Sequence, residues 1–357
     1  MTMLNRVRGS RSAFSGAVVA AVLGAAVSSA PAVICIGPRQ LVQPADQLTG
    51  GFAQYVGRFG NYVGVPISAR HFVSSSHVGN AGGGTFFFRN GTAAETGYAY
   101  FVKGVDQDVT VYELNAGQPS FTLWAPIYNR TNEVGKALML VGRGRDKGPQ
   151  LFQAGNFIGW FWASTDDFAL TWGTNTVNQT AVFGGPPGFA GDYLLFTFDQ
   201  PAGPTEGIAA LNDSTGPVFI VDPADGVAKL AAMVSGVDGG YSGTANGPQF
   251  SGALFDTRGL FIGPNLISGP NPIPINTYAA RLSTRGTFLR GAAGVPPKPC
   301  PADLTGDRRV DTNDLVRFLG AFGSSGPTGI AGDVNDDGAV NTADLTVFLG
   351  QFGVGCP

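Results

Sequence analysis

Short apolar runs alternate with clusters of Gly, Pro, Asn and Asp along most of the chain. Each run has four to six residues and is rich in β-branched and aromatic side chains, as is typical of strands joined by tight turns. The pattern predicts a β-barrel or β-sandwich between about Gln43 and Gly291, with one helical stretch over Asn276–Arg290. Seven runs carry this prediction: Asn61–Val65, Gly84–Arg89, Val109–Leu114, Ala137–Gly142, Tyr193–Phe198, Val218–Val221 and Ala231–Val234.

Composition narrows the classes of protein that fit this pattern. Of the 357 residues, 54 are Gly and 24 are Pro, and both are the poorest helix formers, so an all-helical fold is excluded. Hydrophobic residues at 43% supply a sizeable core, which excludes a disordered chain. The formal net charge is −3 and no basic run lies beyond the amino terminus, so we expect no nucleic-acid partner.

The amino terminus has the pattern of an export signal. Three Arg residues precede the apolar, small-residue stretch 13–27, which ends in Ser28-Ser29-Ala30-Pro31-Ala32. A basic, then hydrophobic, then small-residue order predicts a signal peptide over residues 1–32, and the alternative is a short buried helix. The stretch is too short to remain in a membrane, and no other segment could span one. We therefore expect a mature protein without a transmembrane span that is secreted, periplasmic or at the cell surface.

Cysteine usage fits an exported chain. Cys300 and Cys356 bracket the last segment, and this placement predicts a disulfide that ties its two ends together. Cys35 is left over. It is either a free thiol or is lost if cleavage falls later.

The carboxy-terminal segment contains an internal repeat with a period of 30 residues. It follows a Pro-rich linker, 292–299, and covers residues 300–357, with eight Asp and only three Arg. Two twelve-residue loops, 303–314 and 333–344, place oxygen donors at positions 1, 3, 5, 7, 9 and 12, a spacing that suits Ca²⁺. Gly338 stands at position 6 of the second loop, where the first has Arg308. The predicted ligands of the two calcium ions are Asp303, Thr305, Asp307, Arg309, Asp311 and Asp314, then Asp333, Asn335, Asp337, Ala339, Asn341 and Asp344.

An apolar helical face is predicted after each loop. The face consists of Leu315, Phe318, Leu319 and Phe322 in the first repeat and of Leu345, Phe348, Leu349 and Phe352 in the second. Two such loops, each with one following helix and a closing Gly355-Cys356, resemble a type I dockerin. The alternative, an Asp-rich solvated turn, would have to produce this spacing twice by chance. The resemblance implies a small α-helical domain that folds on calcium. It also implies docking to a cohesin-type protein or a surface anchor through Thr312-Asn313 and Thr342-Ala343.

Three residues of the large domain form a set with catalytic potential. His77 follows a strand–turn–strand pattern, Asp108 heads a strongly β-forming run, and Ser214 lies in a turn before a strand. A serine hydroxyl becomes nucleophilic when a His takes its proton, and a carboxylate fixes the tautomer of that His. Taken singly, Asp108 could be a strand cap and Ser214 a turn residue. His71 has no matching motif and is interpreted as a surface or turn residue.

These segments resemble the trypsin-like serine proteases. The motifs are Ser68–Val78, Asp108–Val111 and Asn212-Asp-Ser-Thr-Gly-Pro-Val218, followed by Leu230–Val237 and by Tyr278–Arg285, which resembles the family's carboxy-terminal helix. The resemblance implies an all-β fold of two six-stranded barrels over residues 43–291, acting on a peptide or protein substrate. The roles it implies are general base for His77, orienting carboxylate for Asp108, nucleophile for Ser214, oxyanion hole for the N–H groups of Asn212 and Ser214, and substrate pocket for Ile208, Ser235 and Gly236. An apolar pocket base at Ile208 suggests a small or apolar side chain before the scissile bond.

The chain departs from this family at three places. Asn212 and Thr215 stand where the family has Gly, whose backbone readily adopts the positive φ that an oxyanion hole requires. No Ile-Val-Gly-Gly start is present to supply the amino-terminal ammonium that pairs with the residue equivalent to Asp213. Two functions therefore compete: a secreted serine endopeptidase, and a catalytically silent scaffold displayed through its dockerin. A glycan-active protein would need paired catalytic carboxylates, and the large domain has only scattered Asp and Glu.

Overall fold

Strands dominate the described part of the chain. The structure is a computed structural model. It describes residues 33–43, 46, 51–79, 83–166, 168–183, 190–199, 203–223, 226–295, 301–305, 307, 309–325, 332–335 and 339–355. The predicted signal peptide lies outside these residues.

The first strand, β1 (Ile34–Cys35), precedes a closed six-stranded barrel. The barrel order is β2-β3-β4-β7-β6-β5, and every pair in it is antiparallel. Its strands are β2 (Gly57–Phe59), β3 (Tyr62–Pro66), β4 (His71–Ser74), β5 (Gly84–Phe88), β6 (Thr96–Asp106) and β7 (Val109–Leu114). A short 3₁₀ turn, Phe52–Tyr55, leads into β2.

Stacked rings fill this barrel. Phe72 is fully buried and lies between Phe86 and Tyr112, with centroid distances of 4.1 and 4.7 Å. Gly57 packs directly against the Phe86 ring, where a Cβ would overlap it. The predicted all-β barrel is therefore confirmed for this half, and its core is made of the aromatic residues that the apolar runs supply.

The second half of the large domain is a seven-stranded sheet with the order β11-β8-β15-β16-β20-β13-β12. The same half also contains a three-stranded sheet with the order β17-β10-β9 and two two-stranded sheets, β1-β14 and β18-β19. The strands are β8 (Ala137–Gly142), β9 (Arg145–Gln153), β10 (Asn156–Asp166), β11 (Thr171–Thr176), β12 (Gln179–Phe183), β13 (Gly191–Thr197), β14 (Gly207–Ile208), β15 (Pro217–Val221), β16 (Ala228–Val237), β17 (Gly252–Leu254), β18 (Phe261–Ile262), β19 (Asn265–Leu266) and β20 (Asn276–Arg281).

The second half differs from the six-stranded barrel that was predicted. No ladder between described residues pairs β11 with β12, although they are consecutive. The outer edge of β11 is already occupied, because Trp172 donates to the carbonyl of Gln40 (2.9 Å) and Thr174 to that of Thr205 (2.7 Å).

The predicted helix over Asn276–Arg290 is wrong in its first half. Residues Asn276–Arg281 form β20, between β13 and β16, where Ala279 and Ala280 are fully buried. Small side chains there allow close packing in the middle of the sheet. The 3₁₀ turn Ser283–Arg285 and α1 (Gly286–Ala293) follow, and α1 packs against β6, with the Phe288 ring over Gly104. The helix extends into the first two residues of the predicted linker.

Two helices lie in the carboxy-terminal segment. They are α2 (Thr312–Ala321) and α3 (Thr342–Gln351), and each begins with a reciprocal capping box, from Asp311 and from Asn341. Phe318 and Phe348 are fully buried and stack on each other with a centroid distance of 5.3 Å.

The apolar faces predicted for these helices are only partly buried. Each helix ends before its last predicted apolar residue, so those two residues no longer share the helical face. The exposed members are Leu319, Phe322, Leu349 and Phe352. None of the helices described is both long enough and apolar enough to cross a membrane.

Candidate active site

His77 lies in the turn that follows β4. Its backbone N–H donates to Oδ1 of Asp108 (2.9 Å), and this hydrogen bond anchors the turn independently of the imidazole ring. The preceding residue, Ser76, donates its hydroxyl to the carbonyl of Gln107 (2.6 Å) and to Oδ1 of Asp108 (3.1 Å). The end of β4 is therefore attached to the β6–β7 hairpin at three points.

Asp108 is fully buried at the tip of that hairpin. The tight connection between β6 and β7 places Gln107 in the left-handed region, with φ of 53°. This turn aims the carboxylate of Asp108 at His77, and both carboxylate oxygens lie 2.9 Å from Nδ1 of the ring.

Ser214 completes a continuous chain of hydrogen bonds. It lies in the turn before β15, 137 residues after His77, and its Oγ is 2.8 Å from Nε2 of that ring. The structure thus brings together the three residues that the sequence singled out. One ring nitrogen faces a carboxylate and the other faces a hydroxyl, which is the arrangement a general base needs to activate a serine.

Asn212 and Thr215 both adopt positive φ, at 73° and 75°. The turn therefore has the backbone that Gly would give it. Asn tolerates this region, whereas a β-branched residue such as Thr is a clear outlier there, at a cost of about 1–3 kcal/mol. Thr215 is fully buried and its Oγ1 accepts a hydrogen bond from the N–H of Val63 (2.9 Å), so the side chain has a specific partner.

Asp213 is a buried carboxylate behind the nucleophile. Its oxygens accept from the N–H groups of Gly144 and Ala210, both at 2.7 Å, and backbone bonds from Arg143 and Val33 add to them. Burial raises the pKa of Asp213 to about 7 in spite of these donors. No ion pair between described residues involves this carboxylate.

Val33 is a residue beside the site that sequence reasoning missed, because its backbone N–H bonds to Asp213. It is buried, and the adjoining β1 pairs with β14, so this segment lies inside the large domain although the predicted boundary was Gln43. The signal was present in the sequence: removal of residues 1–32 after Ala30-Pro31-Ala32 would make Val33 the first residue. The chain has no Ile-Val-Gly-Gly start, and the backbone of Val33 is the part of the amino-terminal segment that reaches Asp213.

The predicted pocket residues lie in β14 and β16 and do not line the pocket at the β9–β10 hairpin. Ile208 is fully buried in β14, and Ser235 and Gly236 lie in β16, where Gly236 pairs with Tyr278. This pocket has a volume of about 660 Å³ and is lined by the tip of the hairpin, including Phe157, and by Phe255. We base the site on the hydrogen-bonded triad and not on this cavity, because the cavity contains none of the triad residues.

His71 lies in β4 and is partly buried. Its Nδ1 is 2.8 Å from Oγ of Ser68, and Nε2 is 3.7 Å from Oε2 of Glu113. Burial lowers the pKa of His71. The structure places it on the strand that leads to His77 and outside the triad.

The first predicted calcium loop brings three carboxylates together. Oxygens of Asp303, Asp307 and Asp314 lie within 4.8 Å of one another. Asp314 is fully buried and accepts from the N–H groups of Thr305 (2.7 Å) and Asp311 (2.9 Å), which fixes its orientation. Three hard oxygen donors on a short loop suit a divalent cation such as Ca²⁺.

The second loop repeats part of this arrangement. Asp333 and Asp344 are fully buried. Oδ1 of Asp344 accepts from the N–H of Asn335 (3.0 Å) and Oδ2 from that of Asn341 (2.9 Å), as in the first loop. Ala339, whose carbonyl is a predicted ligand, forms a bridge with Ser325.

The remaining predictions concern Arg309, Asp337 and the three cysteines. Arg309 forms an isolated bridge with Gly355, which joins the two ends of the segment. Asp337, Cys300 and Cys356 lie outside the described residues, so the ligand role of the first and the predicted disulfide remain predictions. Cys35 is a free, buried cysteine, and burial raises the pKa of its thiol to about 12.

Comparisons with known proteins give a limited result. No family model matches the chain, and no curated protein matches it. Among solved structures 689 chains match, and one is neuropsin, a serine protease expressed in the limbic system of mouse brain. It is 13% identical, with a TM-score of 0.41, and the match covers 71% of this chain and 97% of that one. A likeness this distant does not indicate the function of the chain.

Proposed function

We propose that this protein is a serine endopeptidase that cleaves peptide bonds through an acyl-enzyme on Ser214. The observation that supports it is the unbroken contact from Ser214 Oγ to His77 Nε2 (2.8 Å) and from His77 Nδ1 to Asp108 (2.9 Å). His77 takes the hydroxyl proton as Oγ attacks the scissile carbonyl, and Asp108 holds the ring in the tautomer that can accept it. His77 then gives the proton to the leaving amine, and a water molecule hydrolyses the acyl-enzyme by the same route in reverse.

The oxyanion of the tetrahedral intermediate would be bound by the backbone N–H groups of Asn212 and Ser214. The positive φ of Asn212 supports this role, because it is the conformation that turns the N–H toward the bound carbonyl in the related family. Ile208 is fully buried in the hydrophobic core, so a substrate pocket with this residue at its base remains a prediction.

Activation would depend on the amino terminus. Signal-peptide removal after Ala32 converts the N–H of Val33 into an ammonium, beside a carboxylate that lacks a cationic partner among the described residues. The resulting ion pair would stabilise the turn that carries Asn212 and Ser214.

The carboxy-terminal segment would serve as a calcium-dependent dockerin. The carboxylates of Asp303, Asp307 and Asp314 would hold one ion in the first loop, and the second loop would hold another through the residues named for it above. Bound calcium would supply the charge that keeps each acidic loop folded. The segment would then attach the exported enzyme to a cohesin-type protein or a surface anchor.

An active-site probe tests the proposed chemistry. The chain that begins at Val33 is incubated with a fluorophosphonate in the presence of calcium, next to a Ser214→Ala variant and a His77→Ala variant of the same length. We expect the wild-type protein to be labelled at Ser214 and both variants to remain unlabelled. A folded wild-type protein that is not labelled would refute the endopeptidase and would favour the silent scaffold.

A calcium titration tests the two calcium sites proposed for the carboxy-terminal segment. Isothermal titration of the full chain should give two ions, and Asp307→Ala and Asp337→Ala should each give one. An unchanged stoichiometry in either variant would remove the corresponding site.

A further inference from the structure

Four buried hydrogen bonds form a ring where the first barrel meets the second sheet. Ser74 donates its hydroxyl to the carbonyl of Val63 (2.9 Å), and the N–H of Val63 donates to Oγ1 of Thr215 (2.9 Å). The N–H of Thr215 donates to the carbonyl of Val234 (2.9 Å), which also accepts the hydroxyl of Ser75 (2.8 Å). The peptide bond from Ser74 to Ser75 closes the ring, and all five residues are at most 1% exposed.

The ring joins the two segments that carry the reacting side chains. Ser75 lies two residues before His77, and Thr215 directly follows Ser214. Both are attached to one atom, the carbonyl oxygen of Val234 in β16. The segment that ends in His77 and the turn that carries Ser214 therefore share one hydrogen-bond acceptor.

We propose that Thr215 and Ser75 are positioning residues, which set Ser214 against His77 by tying the two strand ends to Val234. This inference rests on the proposed function. The hydroxyl groups do not touch the reacting atoms, so their effect would pass through the backbone of the nucleophile turn and of the segment that ends in His77.

The unusual backbone of Thr215 supports this role. Gly would adopt the φ of 75° without strain, but it could not accept the N–H of Val63. Val63 is buried, and an N–H without a partner in such a place is unfavourable. The chain therefore keeps a β-branched residue in an unfavourable conformation at the position where its hydroxyl links β3 to the nucleophile turn.

Hydroxyl deletions with a matched control test the proposal. Thr215→Val keeps the side-chain shape and removes the acceptor, Ser75→Ala removes one donor, and Thr215→Ser keeps the hydroxyl. The control is Thr257→Val, because Thr257 is also buried and donates to the carbonyl of Ile273 (2.8 Å) but is not part of the ring. Each protein is measured for kcat and KM on a peptide ester, with active sites titrated by a fluorophosphonate.

The expected result separates positioning from stability. Since a misplacement of ~1 Å can cost ~100-fold in rate, kcat should fall by about 10- to 100-fold in Thr215→Val and Ser75→Ala while KM stays within about threefold. Thr215→Ser keeps the hydroxyl and should have a kcat close to that of the wild-type protein. Thr257→Val should also leave kcat unchanged. If Thr215→Val does not fold, Ser75→Ala decides the matter, because the Val234 carbonyl there retains the N–H of Thr215.

Two results would overturn the proposal, and each refutes a different part of it. An active wild-type enzyme whose Ser75→Ala and Thr215→Val variants keep full kcat refutes the positioning role alone, and the ring then contributes only to stability. A folded wild-type protein that neither turns over substrate nor reacts with the fluorophosphonate refutes the proposed function, and the positioning role with it.

Discussion

The charge of Asp213 should make the stability of the unprocessed chain depend on pH. Its carboxyl is buried, and burial raises its pKa from an ordinary value of 3.8 to about 7. Because the folded protein then holds more protons than the unfolded chain between these values, stability falls as the pH rises from about 4 to about 7. At about 1.4 kcal/mol per pH unit, the loss is on the order of 4 kcal/mol.

Removal of residues 1–32 should abolish most of this loss. In a chain that begins at Val33, the new ammonium lies beside Asp213, and an opposite charge favours the ionised carboxylate. The carboxylate then keeps its charge at lower pH, so the destabilisation between about pH 4 and pH 7 becomes smaller. The same processing step that follows export would also stabilise the nucleophile turn.

Urea unfolding of four proteins measures the effect. The wild-type sequence and Asp213→Asn are each prepared with residues 1–32 and with Val33 as the first residue, and the free energy of unfolding is determined from about pH 4 to pH 8. The difference between wild type and Asp213→Asn cancels the contribution of other titrating groups. We expect this difference to change by about 4 kcal/mol across the range in the longer chain, and by much less in the shorter one. Equal changes in both chains would refute the pairing of Val33 with Asp213.

Three further predictions concern other residues of the large domain. Asp108→Asn should lower kcat by about 10⁴-fold with little loss of stability, because the imidazole would adopt the wrong tautomer; steady-state kinetics at constant active-site concentration checks this. Arg281→Met should lower the free energy of unfolding in urea by about 3–5 kcal/mol, because Glu133 is fully buried and loses its two-point ion pair (2.7 and 2.9 Å). Gly159→Ala should cost about 1–3 kcal/mol in the same assay, because its φ is 144° and a Cβ would overlap the Ala253 carbonyl. An unchanged kcat or an unchanged unfolding midpoint would contradict the corresponding prediction.

Local patterns were sufficient for the seven predicted runs of the large domain, each of which overlaps a strand. The runs Ala137–Gly142 and Val109–Leu114 have the bounds of β8 and β7, since each is an apolar segment bounded by turn residues. The same reasoning failed at Asn276–Arg281, because small residues such as Ala279 are favourable both in a helix and in the crowded centre of a sheet. Which of the two forms depends on the flanking strands β13 and β16, and these are remote in sequence.

The carboxy-terminal segment shows a similar limit to what local sequence patterns predict. The sequence predicted a helix after each loop from the helical spacing of its apolar residues, and the structure has both helices. It also placed Leu319 and Phe322 on the apolar face of the first helix, and the structure shows that both side chains are exposed. The contact between the repeats is centred on the stacked rings of Phe318 and Phe348, which only the tertiary structure shows.

The sequence by itself determined which groups could do chemistry: one His, one Asp and one Ser at strand ends, and two acidic loops with a common spacing. These signals are local, because turns and capped helix starts depend on residues close together in the chain. The tertiary structure decided how the groups meet. Ser214 reaches His77 across 137 residues, Thr215 reaches Val63 across 152, and the backbone of Val33 reaches Asp213 from the other end of the domain. Such contacts arise only when strands from distant parts of the chain are packed together, and no local pattern encodes them.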